Sequence, residues 1–531
     1  MDSLSQRMNA RPARAAVLSG KERFNETDVS FPVLGQSLYL ERSYSAGSRD
    51  TSTSTLGYGW THNPEVSLLL PENEPGTVII KGCRGSRFRF SDRGEGEFAP
   101  WPGVWATLTR TTTTTYTYTL TGVDQTKYIF DEMGRLVEIR APEGPGLTYS
   151  YTNQHLTRVA DATGERDLDF KYDDQGRLVR LRDPLNRMFT YGYSASGDLV
   201  MVTDPRGLVS TYIYTGTHLL SEVRNPAGHL VEKTAYDAEG RAVKQWTSLS
   251  DLPLIIDYGD TVVITDAMGH RTEDVYAGAG TLAAQSREGV TETRTYDDNL
   301  NWMSTTDAND HRTYYDFNRM GLPKVITDAL GVQTRITYDS ANHPTRFVDD
   351  QGHATTYAYE GNLLITTTDA LSGTVVNTYN DEGLSIQTVA KGITTTYSYN
   401  AWGQRVAVTD TTGLVYTYNA AGLRVGQAVD SDQTEFAWDW ATGVPELLSD
   451  GDVLYLVGHD TLGHWDGDAW QYPLPDALGS VRQTVDASAA IVATREWTPY
   501  GVEVGGAQAG LGFTSEWFDA DMGLQYLRAR W

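Results

Sequence analysis

From about Tyr128 to Gly422 one short pattern recurs: Tyr-Asp or Tyr-Asn, a Gly four residues after the Tyr, about six strand-like residues, Thr-Asp-x-x-Gly, and a strand ending in Tyr-x-Tyr. Tyr151, Tyr172, Tyr193, Tyr214 and Tyr236 follow at steps of 21, 21, 21 and 22, and Tyr338, Tyr359, Tyr379, Tyr399 and Tyr418 at 21, 20, 20 and 19. Self-similarity at a fixed short period restricts the chain to repeat architectures, in which each unit is completed by its neighbours.

Each unit reads as two antiparallel strands joined by turns. In Tyr172 to Gly176, Tyr236 to Gly240, Tyr379 to Gly383, Tyr399 to Gly403 and Tyr418 to Gly422 an Asp or Asn can bond its own backbone while Gly supplies a positive φ. Asn342 takes the glycine position after Tyr338, and Asn also tolerates a left-handed backbone. The second turn keeps a three-residue offset at Asp204 to Gly207, Asp266 to Gly269, Asp328 to Gly331 and Asp410 to Gly413. Two turns per repeat predict a continuous antiparallel ribbon. The tyrosines of each Tyr-x-Tyr are two residues apart, which places both rings on one face and predicts a cross-strand tyrosine ladder.

Composition agrees with an all-β chain. The 531 residues include 51 Gly and 31 Tyr, with Thr-rich runs and no sustained helical period. With 43 basic against 69 acidic residues the net charge is −26, which argues against nucleic acid on the outer surface. Cys83 is alone, so no disulfide framework or zinc knuckle is expected. No segment has the apolar length of a membrane span, and the polar first residues lack the core of a signal peptide.

Outside the repeats the text changes. Residues 1–24 read as a disordered lead, 25–125 as an irregular β cap, 126–425 as the repeats, and 426–531 as a distinct C-terminal part. Glu26 to Pro32, Leu38 to Tyr44 and Leu56 to Asn63 resemble the opening segment of Rhs and YD-repeat proteins, and the repeats resemble the Tyr-Asp repeats of that family. Asp476-Ala-Leu-Gly479-Ser-Val-Arg482, Trp497-Thr-Pro499-Tyr-Gly501 and Phe518 to Trp531, with Gly523, Tyr526, Arg528 and Arg530, are similar to the Rhs-associated core. The resemblance covers roughly residues 25 to 531.

It implies that the ribbon spirals into a hollow β-shell. In Rhs proteins and toxin-complex C subunits such a shell encloses a toxin, freed by an aspartyl protease at the end of the core; in teneurins a similar shell serves adhesion. The expected partner is therefore a polypeptide toxin or effector cargo or secretion machinery, and the expected location exported or at the cell surface. An adhesion or glycan-binding module is the alternative, and a self-cleaving protease a third reading. The sequence ends at Trp531, before the Asp-Pro elements that follow the family's Arg-Ala-Arg-Tyr motif, so no catalytic aspartate is carried over. It reads either as a trimmed or shortened shell or as one whose partner is made separately.

Other chemistry finds little support. Asp519 and Asp521 could share a strand face as a protease pair, but Asp-Ala-Asp-Met-Gly also reads as a turn. Asp297-Asp298-Asn299 and Asp450-Gly451-Asp452 lack the spacing of a calcium loop. His270, His311 and His353 fall in or beside second turns and read as surface residues. No metal or cofactor is expected. A propeller or a packed solenoid would be the rival folds; the turns do not alternate as blades need, and parallel coils do not call for two hairpin turns per unit.

Overall fold

The computed structural model describes residues 23–33, 36–50, 54–82, 86–112, 116–142, 146–216, 218–248, 250–278, 280–400, 403, 405–409, 415–419, 423–429, 432–439, 446–458, 461–498, 501–504, 510–519 and 524–525. Among these residues there is no α-helix. Of the disordered lead expected at residues 1–24, residues 1–22 lie outside the described residues, as does the lone Cys83, whereas Arg23 and Phe24 are not disordered but open a strand that pairs with Ser45 and Tyr44. The chain divides into two compact units, Met1–Ser385 and Ile386–Trp531.

The first unit opens with a small antiparallel sheet of β1 (Arg23–Val33), β2 (Gln36–Ser45) and β3 (Trp60–His62). A second sheet starts at Ser67–Leu69, inside the segment expected to cap the repeats, and runs up to Thr374–Tyr379, each strand pairing antiparallel with the next. Near its start this ribbon touches itself. Ser67 bridges Arg135, and the Leu68 amide donates to the Gly134 carbonyl at 2.8 Å, closing a seam.

The turn chemistry explains the pairing. At Asp173 the backbone amide donates to the Arg177 carbonyl at 2.9 Å and the Gly176 amide returns to the Asp173 carbonyl at 3.0 Å. Gly176 sits at φ +77, and the register slips by one residue between Lys171 and Tyr172. This is a type I turn closed by a left-handed residue and a bulge, a common way to join antiparallel strands with the right twist. Gly207, Gly240, Gly331, Gly383 and Gly403 occupy the same left-handed position, as does Asn342. Leu300, Ser372 and Ala489 also adopt positive φ, so the motif is strong enough to hold residues that disfavour this conformation.

The second unit continues the same style with Ile393–Tyr399, Arg405–Thr409, Val415–Tyr418, Arg424–Val429 and Asp432–Glu435, paired in order. A seven-stranded sheet follows from Ala437–Asp439 to Ile491–Thr494, then a three-stranded sheet ending at Leu524–Gln525. Phe436, Leu447, Tyr455 and Trp517 form its core.

Candidate functional site

The repeat tyrosines act as fasteners between neighbouring repeats. The hydroxyls of Tyr151, Tyr172, Tyr193, Tyr214 and Tyr236 donate to the carbonyls of Leu136, Leu156, Leu178, Leu199 and Leu220, at 2.6 to 2.9 Å. Tyr338 and Tyr379 do the same to Pro323 and Leu364. A hydroxyl thus reaches back one repeat and satisfies the carbonyl of the first residue after a turn, where the bulge has interrupted the ladder. Burial drives the pKa of Tyr172, Tyr193 and Tyr214 far above the ordinary phenol value, so these groups remain donors.

The expected ring-on-ring tyrosine ladder takes another form. At three of the turns the residue after the glycine lays a cation on the next ring: Arg135 over Tyr151, Arg177 over Tyr193 and Arg241 over Tyr258, at 4.6 to 5.0 Å. His343 stacks on Tyr359 at 4.6 Å in the same role. Each of these side chains is held by the turn aspartate before it, as in Arg177 Nε to Asp173 Oδ2 at 2.8 Å and His343 Nδ1 to Asp339 Oδ2 at 2.9 Å. The motif is therefore Tyr-Asp-x-x-Gly-Arg. The recurrent Arg was legible at Arg177 and Arg241, yet sequence reasoning passed over it.

The aspartates that open these turns work as backbone acceptors. Asp204 Oδ1 takes the amides of Arg206 and Leu208, and Asp328 Oδ1 those of Leu330 and Val332. Desolvation opposes ionisation at Asp173 and Asp204, but these donors hold both carboxyls below the usual range. Asp297 and Asp450 likewise cap turns, and no cluster among the described residues could hold a metal. His270, His311 and His353 are exposed and bonded to the aspartates of their turns.

In the C-terminal motif Asp476 caps an identical turn, accepting from the amides of Leu478 and Ser480 and from Arg482 Nε at 2.8 Å. Gly479 and Gly501 are left-handed, and the Gly479 carbonyl accepts from Ser515 Oγ. Tyr399 pairs with Arg405, and Tyr418 with Arg424 in register. Asp410, Gly413, Gly422, Pro499, Asp521, Gly523, Tyr526, Arg528 and Arg530 lie outside the described residues, as do the side chains of Tyr418 and Asp519.

The densest constellation joins the opening sheet to the repeats. The Arg42 guanidinium, fully buried, grips Asp28 through Nε and Nη2 at 2.7 and 2.8 Å and Glu26 through Nη2 at 2.9 Å. From the ribbon, Tyr191 donates to Asp28 and Tyr212 to Glu26. Trp60 Nε1 donates to the Tyr214 hydroxyl at 2.7 Å, and Tyr44 donates to the His218 carbonyl. The tyrosine face of these repeats is thus the face on which β1–β3 rest. Sequence reasoning placed these residues in a motif but gave them no partners, because the contacts span 150 residues and more.

Comparison with known proteins places the pattern. The RHS Repeat family model matches residues 172–207 and 193–230, the Teneurin YD-shell model residues 254–456, and a domain of unknown function (DUF6531) residues 16–90. The tRNA nuclease WapA of Bacillus subtilis strain 168 and the tRNA3(Ser)-specific nuclease WapA of Bacillus spizizenii are each 28% identical over 327 residues, covering 61% of this chain. This chain spans 12% of the length of those curated relatives. Among solved structures, a TcdB2–TccC3–Cdc42 crystal structure aligns over 95% of this chain and 37% of that chain at 11% identity, with a TM-score of 0.36. The Photorhabdus luminescens Tc holotoxin pore aligns over 92% and 36% at 11% identity, with a TM-score of 0.35. The repeats carry the Rhs/YD-repeat pattern, and the family models that match them are those of the RHS Repeat and the Teneurin YD-shell.

Proposed function

We propose that this chain forms the wall of a container that encloses a polypeptide cargo, a toxin or effector, for export. The observation that carries the reading is a sheet without a core. An antiparallel sheet normally buries one face against a second layer. The seven strands from Arg312–Phe317 to Thr374–Tyr379 contain no buried residue. Turns and tyrosine fasteners hold them instead of packing, and a wall held from within its own plane leaves a face free for contents.

The same face earlier in the chain already accepts polypeptide, since β1–β3 rest on it. Arginines, tyrosines and threonines alternate along the later strands, a surface suited to a varied polypeptide rather than to one shaped ligand. Two of the relatives that this chain resembles are nucleases by name, so an enzymatic cargo is a natural content.

The test is to express the full native gene, digest the product with protease and weigh what survives by intact mass. A fragment from outside residues 1–531 that stays protected and co-elutes with the chain supports the container. A product with no protected polypeptide overturns it and favours adhesion, which binding to a glycan array would then report.

A further inference from the structure

Beneath the seam, where the ribbon first closes on itself, lies a cavity of about 220 Å³ lined by residues from six strands and the loops between them. Lys81 and Arg135 flank Ser67, since Ser67 pairs with Lys81 on one side and bridges Arg135 on the other. His62 and His155 face the same space, and Glu65 forms part of its wall. Asp131, behind Arg135, takes its Nε and Nη2.

Lys81 stands apart from the other charges of this wall. The Glu65 carboxylate is filled by its own neighbours, accepting from Ser54 Oγ, the Thr55 amide and hydroxyl, and the His62 amide. Arg135 shares its charge with Asp131. Lys81 has no carboxylate within ion-pair distance among the described residues, and it stands in a chain whose net charge is −26. The buried His62 Nδ1 also has no hydrogen-bond partner. A lysine ammonium without an ion-pair partner and a buried imidazole nitrogen without a hydrogen-bond partner, both lining one polar-walled cavity, are poorly explained by packing alone, and an oxyanion would give the ammonium a charge-assisted partner.

We propose that this seam cavity binds a small oxyanion, the phosphate or carboxylate group of a free small molecule, with Lys81 and the free Nη1 of Arg135 as its principal donors and His155 as a third. The volume corresponds to roughly seven waters at about 30 Å³ each, room for one such group and its hydration. Because both cations neighbour Ser67, a bound anion ties the two sides of the seam together.

Inorganic phosphate and acetate, each titrated calorimetrically at low ionic strength into the whole chain, provide the test. Saturable binding at one site is expected, weakened about tenfold or more by Lys81→Gln and unchanged by Lys233→Gln, a lysine that stacks on Trp246 elsewhere. His155→Phe, which keeps a ring against Tyr172, should weaken it too and stands in if the lysine variant is unstable. Phosphate binding alone identifies a tetrahedral oxyanion and acetate binding alone a carboxylate. Failure of both anions to saturate, or equal binding by Lys81→Gln and Lys233→Gln, overturns the proposal.

Discussion

Two stretches of one ribbon use the same repeat and live in different surroundings. Between Leu147–Thr152 and Leu220–Arg224 one face is dry: Leu168, Phe170, Leu178, Leu181, Leu199 and Tyr212 are buried. Between Arg312–Phe317 and Thr374–Tyr379 no strand residue is buried, and at the turn tips Leu330 and Leu371 are 88% and 93% exposed. Turn geometry, left-handed glycine and tyrosine hydroxyl bond are nonetheless the same in both. The repeat thus carries its own local specification, while burial depends on what rests on the sheet, here β1–β3.

The largest break in this comparison should come from Arg42→Met. Removing one member of a buried ion group leaves Asp28 uncompensated and should cost about 3–5 kcal/mol. Hydrogen exchange should show lost protection from 147 to 224 and none from 312 to 379. An even loss across both stretches would mean that β1–β3 do not stabilise the dry region specifically.

The tyrosine fasteners should differ next. Tyr214 donates to the Leu199 carbonyl and accepts from Trp60, so Tyr214→Phe strands two buried polar groups and should cost about 1–3 kcal/mol in denaturant unfolding. Tyr379→Phe removes one bond at a site water can reach, and about 0.5 kcal/mol is expected. Equal costs would show that the fastener owes nothing to burial.

Glycine strain, by contrast, should be blind to region. Gly207 at φ +81 and Gly331 at φ +83 both have open space where a Cβ would stand. Gly207→Ala and Gly331→Ala should therefore each cost about 1–2 kcal/mol, the penalty of a left-handed backbone alone. Gly134→Ala is different in kind, because its Cβ would meet the Leu68 carbonyl oxygen at 2.0 Å across the seam.

These differences show what the sequence could reveal. Period, turns and strand direction are local, so Tyr172 to Gly176 announces its hairpin within five residues. The dry face is partly legible too, in Leu178-Val-Arg-Leu181 and Leu199-Val-Met-Val202 against Pro323-Lys-Val-Ile326 and Pro344-Thr-Arg-Phe347. The partner of a face is not legible. Asp28 and Tyr191 are 163 residues apart, and no periodicity joins them. For the same reason the seam between Ser67 and Arg135, and the cavity beneath it, left no mark that spacing could expose.

The smallest effect is the sharpest test of local specification. Asp173, Asp204 and Asp237 in or beside the first stretch, and Asp307, Asp339 and Asp349 in or beside the second, are all held below the usual carboxylate range. Desolvation opposes this at all six and is the largest single influence at every one but Asp307, where the His311 amide leads, and in every case the turn's donors prevail. A carboxyl with a depressed folded pKa binds fewer protons folded than unfolded. Its stabilisation is therefore complete above the unfolded value of about 3.9 and is lost as pH falls through the lower folded value. Asn225, Asn318 and Asn380 provide an internal control, since their side-chain oxygens accept the same two amides with no charge to lose. On acidification, exchange corrected for intrinsic rates should loosen the amides flanking the Asp turns in both stretches while those at the Asn turns persist. If Asn and Asp turns loosen in step, the acid response is global unfolding rather than turn protonation, and the repeat is less self-sufficient than its geometry argues.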